Sequence, residues 1–273
     1  MQWFRRAIHA MASSFIIFYI LEDSAFWFIL KRTIAIAIML ILLMWGLKRK
    51  MEKDRIHGLL REHETENMPS FLWFGLGAAI LFLMPYSLEL NGTTINLAII
   101  GASCIFSAAL VDPVISVVRK KKGKAWGFLI GFLLASLIFY LFGLEQFSLL
   151  GGLALAGFES FPMKLDDDFT TQIGTAAVFL VIGFLGYLPP VGLPFEQISL
   201  PELMGLAPVF LLALSLRQLS YEEKFIMGIT LIAPFIAAAF LVINGGWELA
   251  ALMLVIQIYF DAMAIKEIRG ARV

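Results

Sequence analysis

The sequence predicts an all-α fold: a polytopic bundle of about ten transmembrane helices (eight to ten), forming a single integral membrane domain over residues 1–273 with both termini cytoplasmic. Three observations carry this. Hydrophobic residues make up 60% of the chain and charged residues 15%, with a mean hydropathy of +0.86. A soluble domain runs at about 45–50% apolar and about 25% charged. Apolar runs of membrane-crossing length follow one another along most of the chain, and only short polar breaks separate them. Finally, the basic residues fall almost entirely on one side of the resulting topology. The same composition excludes a disordered chain, a collagen-like polymer and a disulfide scaffold, since Cys104 is the one cysteine.

A span needs roughly 20 residues to cross a hydrocarbon core of about 30 Å at 1.5 Å per residue. The expected spans are 7–21, 33–47, 70–88, 95–118, 125–143, 147–163, 170–188, 202–219, 224–243 and 247–265. Breakers separate several of them: Asn91-Gly92, Gly143, Pro189-Pro190, Pro194, Pro201 and Asn244-Gly245-Gly246. The first fifty residues allow three readings. In the first, which we adopt, 7–21 is a short span and 22–32 an external interfacial stretch bearing Phe26, Trp27 and Phe28. In the second, 11–30 forms one span. In the third, 1–21 lies flat on the membrane surface. Arg5-Arg6 before an apolar run has the look of a signal peptide's basic end. Acidic residues follow and no small-residue cleavage site does, so the segment is expected to stay as an anchor.

The ten-span topology sends the N-terminus, 48–69, 119–124, 164–169, 217–224 and the C-terminus to one side. That side holds nineteen of the 21 Lys and Arg residues, and the other holds Lys31 and Arg32. Cytoplasmic loops carry such an excess, which places the chain in the cell membrane with both ends inside. The formal net charge of zero hides this sidedness.

The connection 48–69 is expected to be a helical extension of the second span into the cytoplasm. With it, the stretch Lys48–Arg61 and the run Arg119–Lys124 are the expected contacts for anionic lipid headgroups or a cytoplasmic protein. Nucleic acid is not an expected partner, because the aromatic residues lie within the spans. The external connection 189–201 holds four prolines in an apolar stretch, either a re-entrant cover or a stiff headgroup-level loop. Gly131 with Ala135, and Gly151, Gly152 and Gly157, mark close helix packing. Pro208 and Pro234 imply kinks.

Charge within hydrocarbon costs at least about 2.5–3.5 kcal/mol, so intramembrane acids are where a site is sought. Glu202 and Glu248 open their spans and are read as interfacial. Asp112 precedes Pro113, which removes a backbone donor and frees a carbonyl. Glu159 lies five residues before Lys164. Asp261 follows Gln257 by four residues, which puts both on one helix face. Asp112, Glu159, Asp261 and Gln257 are therefore the candidate substrate- or ion-binding residues, at similar depth toward the cytoplasm. Asp166, Asp167 and Asp168 open a helix, where acids suit the dipole and the cap. As metal ligands they are weaker candidates, since three successive acids lack a ligand spacing and no second acidic motif accompanies them.

No cofactor motif, nucleotide loop or nucleophile elbow is present, so no cofactor and no catalytic residue is expected. All three histidines (His9, His57 and His63) precede the clear spans, which argues against an intramembrane metalloprotease. The leading functional expectation is a small-solute or ion carrier coupled to protons or cations through the buried acids. A non-catalytic subunit of a larger assembly is the alternative. A metal-dependent enzyme acting on a lipid is the third.

Overall fold

In the computed structural model, apolar runs become helices and the Gly- and Pro-bearing breaks become turns. The structure describes residues 2–21, 28–37, 40, 44, 70–90, 93–161, 166–188, 192–195 and 221–270. The expected span 202–219, the connection 48–69 with Lys48–Arg61, Glu202, Pro208 and most of 189–201 lie outside them. In chain order the elements are α1 (Gln2–Met11), a 3-10 turn over Ala12–Ile16, α2 (Ile17–Ile20), α3 (helical residues 28–37) and α4 (Ser70–Leu83). Next come strands β1 (Ser87–Leu90) and β2 (Thr93–Asn96), then α5 (Leu97–Lys122), α6 (Lys124–Leu141), a 3-10 turn over Glu145–Phe147 and α7 (Ser148–Ser160). The last are α8 (Asp167–Phe184), α9 (Tyr221–Ile243) and α10 (Trp247–Gly270).

Three helices among the described residues are long and apolar enough to cross a membrane, over Leu97–Lys122, Lys124–Leu141 and Trp247–Glu267. Leu72–Leu83 and Ala233–Ile243 are shorter apolar helices. At 13 residues α7 reaches only about 20 Å, so it is too short to cross alone.

Two expected spans need correcting. Segment 70–88 stops being helical at Leu83, and 95–118 begins as strand, because Ser87–Leu90 pairs antiparallel with Thr93–Asn96. Leu90 faces Thr93 in the register, so Asn91 and Gly92, themselves outside the described residues, join the strands. Asn-Gly between β-prone residues is a hairpin signal, and it overrides the helical continuation that hydropathy suggests. Of the stretch 22–32, read as interfacial, Phe28, Lys31 and Arg32 lie in α3. No breaker interrupts 28–37. Lys31 is buried there, while the Arg32 guanidinium stacks 3.4 Å over the Phe28 ring and donates to the Met84 carbonyl at 2.9 Å. Helix α5 also runs unbroken through Pro113.

The chain divides into two units, one from Met1–Glu22 and Pro194–Val273, the other from Asp23–Leu193. In the second unit α5 is the central helix, with almost every side chain from Leu97 to Val111 buried, as a helix apolar on all sides must be. Gly123 lets α6 follow at once. Its φ of 95° lies in the left-handed region, and its N–H caps α5 on the Arg119 carbonyl at 3.0 Å. The hairpin closes on glycines. A side chain at Gly131 would meet Ile115, and one at Gly152 would meet Ser136 and the Phe132 carbonyl. Gly152→Val should therefore separate α6 from α7. We expect a loss of about 1–3 kcal/mol of stability, read as a lower melting temperature and less monodisperse protein in detergent. Unchanged melting would contradict this packing. The aromatic core beneath pairs Phe106 with Phe142 and Phe139 with Phe179, with ring centroids 5.8 and 5.0 Å apart.

In the first unit, α9 and α10 form a hairpin through Asn244–Gly246. Gly245 has φ 89°, and the Gly246 N–H reaches back to the Leu241 carbonyl at 2.6 Å. Helix α1 packs on α10 through the small residues Ala7 and Ala10, both fully buried. Trp3 seats on Tyr259 and Phe260, and its backbone N–H donates to Glu267 at 3.0 Å.

Candidate functional site

The second unit gathers acids where three helices meet. Asp112 sits on α5, and Arg119 stands seven residues on, about two turns along the same face. Glu159 is the next-to-last residue of α7. Asp166 immediately precedes α8, and Asp167 and Asp168 open it. Asp166 caps that helix as its sequence position suggested. Its Oδ1 accepts from the Asp168 N–H at 3.0 Å, while the Thr170 hydroxyl donates to the Asp166 carbonyl at 3.0 Å.

Arg119 donates from Nη2 to Glu159 Oε1 at 3.2 Å, with the Glu159 side chain 1% exposed and that of Arg119 36%. The Asp112 carboxyl lies within hydrogen-bonding reach of Glu159, and Asp167 lies close enough to act on it electrostatically. Glu159 Oε2 is buried with no hydrogen-bond donor among the described residues. Carboxylate oxygens of Asp166, Asp167 and Asp168 lie within 4.8 Å of one another, and oxygens of Asp112 and Asp168 are equally close. Five carboxyls from α5, α7 and α8 thus converge beside one guanidinium. Oxygens this closely grouped suit a hard divalent cation, which takes carboxylate ligands at separations that one ion can bridge.

The floor of the cluster is fixed by Gln172, one turn into α8 and fully buried. Its Nε2 donates to the Asp168 carbonyl at 3.1 Å and to the Phe74 carbonyl of α4 at 3.2 Å. Gly77 makes room for that amide, whose oxygen lies 3.2 Å from where a Cβ would stand. Phe169 stacks edge-on against Trp73 of α4, with centroids 5.6 Å apart.

Of the acids expected at a common depth, Asp112 and Glu159 do meet, and the Asp166–Asp168 turn joins them. Asp261 and Gln257 belong to the other unit. There Asp261, 1% exposed, accepts from the Thr230 hydroxyl of α9 at 2.8 Å and from Gln257 Nε2 at 3.1 Å. Glu248 lies exposed in the first turn of α10. Sequence reasoning missed Arg119 as a partner of the acids, reading it as part of the basic run expected to meet anionic headgroups or a cytoplasmic protein. The signal was the seven-residue spacing from Asp112. It missed Gln172 as well, which carries no signal beyond a buried amide beside acids.

A scan against protein-family models finds no match to this chain, and neither does comparison with curated proteins or with solved structures.

Proposed function

We propose that this is a multi-pass membrane protein with a divalent-cation-dependent centre at the membrane face, acting on an amphiphile with an anionic, phosphate-bearing headgroup. The closeness of Asp112 to Asp168, and of Asp166, Asp167 and Asp168 to one another, with the buried Glu159 beside Asp112, carries the proposal. The depth of the cluster supports an interfacial centre over a midplane carrier site. Glu159 stands in the last turn of its helix and Asp168 in the first turn of the next, whereas carrier substrate sites lie near the bilayer midplane.

The chain's own residues divide the work. The carboxylates hold the cation, and Arg119 holds Glu159 in place. Lys120, Lys121, Lys122 and Lys124, all exposed beside Arg119, draw an anionic headgroup toward it. A bound divalent ion would supply neutralisation of phosphate charge, and phosphoryl chemistry needs little beyond that and positioning. A multi-pass arrangement with cytoplasmic termini is part of the same reading, and so is residence in the cell membrane. Nineteen of 21 basic residues on one side support it. So does α6, whose exposed stripe runs from Trp126 through Leu129, Leu133 and Leu137 to Tyr140. Its terminal aromatics stand about 21 Å apart, the arrangement of two interfacial anchors.

The test is native mass spectrometry of the purified full-length protein in detergent, with phosphatidic acid or phosphatidylcholine added, with and without Mg²⁺. Mg²⁺-dependent retention of phosphatidic acid, lost in Asp112→Asn and Asp168→Asn, is the expected result. Retention indifferent to Mg²⁺ or equal for the two lipids would refute the headgroup assignment. A second reading, a cation-coupled carrier, is favoured by the separate buried Asp261–Thr230–Gln257 network. Ion-driven solute uptake into proteoliposomes would select it.

A further inference from the structure

The guanidinium of Arg119 has more donors than its ion pair uses. Glu159 takes one N–H, from Nη2 at 3.2 Å. A guanidinium carries five N–H donors in a flat fork, so one two-pronged edge stays open for a second anion. Among the described residues Arg119 makes no other hydrogen bond or ion pair. Its side chain is 36% exposed, and the stem lies against α6, where a Cβ on Gly127 would stand 3.0 Å from the Arg119 Cβ. Packing of the stem leaves the exposure to the charged end. Arg119 belongs to the last turn of α5, about 10 Å along the helix from Asp112, so it stands on the surface side of the acids. Glu159 reaches both Arg119 and Asp112. The place is therefore positive toward the cytoplasm and acidic within, with one carboxylate joining the two.

We propose that Arg119 is the specificity-determining residue of the acidic centre: its open edge grips the substrate phosphate, and the headgroup it selects ends in a phosphomonoester. The proposal rests on the reading of that centre as a cation-dependent site for an anionic amphiphile. The count of phosphate oxygens decides the class. A phosphomonoester has three unesterified oxygens, so it gives two to the fork and one to the cation. A phosphodiester has two, and the fork and the cation compete for them. Lysine does not substitute for arginine in this role, because an ammonium is a point charge without two parallel N–H bonds. Lys120, Lys121, Lys122 and Lys124, all exposed, gather any anionic headgroup but do not tell one ester from the other.

Native mass spectrometry of the purified full-length protein in detergent tests it, with phosphatidic acid and phosphatidylglycerol of the same acyl chains competing in the presence of Mg²⁺. We expect phosphatidic acid to be retained about tenfold over phosphatidylglycerol, the worth of one charge-assisted contact. Arg119→Lys should lose that preference yet bind Mn²⁺ as the unaltered protein does, because the carboxylates are untouched. Lysine keeps the charge, so a preference resting on charge alone survives this variant, and that survival would overturn the proposal. Arg119→Met/Glu159→Gln leaves neither charge buried alone and serves as the second probe should Arg119→Lys fold poorly. It too should lose the preference, and a preference kept there would count equally against the proposal. Equal retention of the two lipids by the unaltered protein, with Mg²⁺ still required, would overturn the role of Arg119 and leave the cation centre standing. Retention indifferent to Mg²⁺ would instead remove the centre on which the proposal rests.

Discussion

Replacing Asp112 or Asp168 with asparagine should weaken Mn²⁺ binding to the purified protein by about 100-fold, because even residues that only orient metal ligands are worth about 10–100-fold. Electron paramagnetic resonance of free Mn²⁺ measures this directly. The two residues sit on different helices, α5 and α8, with carboxylate oxygens within 4.8 Å. If they share one ion, either substitution removes a ligand and the double variant loses little more than the worse single variant. If they act separately, the losses multiply. Asparagine preserves side-chain size, so a monodisperse elution profile would show that the fold survives. An affinity unchanged in both variants would remove Asp112 and Asp168 from any metal site.

The second large effect concerns the Arg119–Glu159 pair. Removing one partner of a buried ion pair costs about 3–5 kcal/mol, since the other charge is left buried and uncompensated. Arg119 is more than a third exposed, so solvent screens part of the interaction, and Arg119→Met should cost nearer about 2–3 kcal/mol. Glu159→Gln should cost less, and the double variant Arg119→Met/Glu159→Gln should recover much of what Arg119→Met loses. The cycle isolates the pair from the packing of the long arginine side chain. Additive losses of melting temperature would mean that Arg119 contributes packing alone.

Hydropathy and punctuation made most helices legible in the sequence. The helices found at Leu97–Lys122, Lys124–Leu141 and Trp247–Gly270 begin and end close to the runs 95–118, 125–143 and 247–265, because Gly123 and Asn244–Gly246 stop helices wherever they stand. The hairpin at Ser87–Asn96 was missed for an equally physical reason. Leu88, Leu90 and Ile95 are as apolar as any span, and only Asn91-Gly92 marks the reversal.

Within the site, legibility followed sequence distance. Gln257 and Asp261 share a helix face by periodicity alone, and the structure keeps them there. Thr230 and Ala7 complete that network from 31 residues before Asp261 and 250 before Gln257, and no spacing rule reaches so far. Asp112 and Glu159 are matched in depth by their distances to the next basic residue, Arg119 and Lys164. That Asp166–Asp168 would join them depended on the packing of α8 against both α5 and α7, which no spacing rule gives. The triple Asp lacked a second motif in the sequence because its complement is dispersed, one residue on each of two earlier helices.

Sensitised terbium luminescence tests the existence of that centre most directly. Trp73 packs on Phe169, the residue after Asp168, so a Tb³⁺ ion held by the carboxylates lies near an indole donor. Excitation of the full-length protein in detergent should give saturable Tb³⁺ emission with one ion per chain. Excess Mg²⁺ or Ca²⁺ should displace it. Trp73→Phe should dim the emission without loss of affinity, and Asp112→Asn/Asp168→Asn should abolish it. Emission that never saturates, or that is the same in Asp112→Asn/Asp168→Asn as in the unaltered protein, would contradict a cation centre at the meeting of α5, α7 and α8.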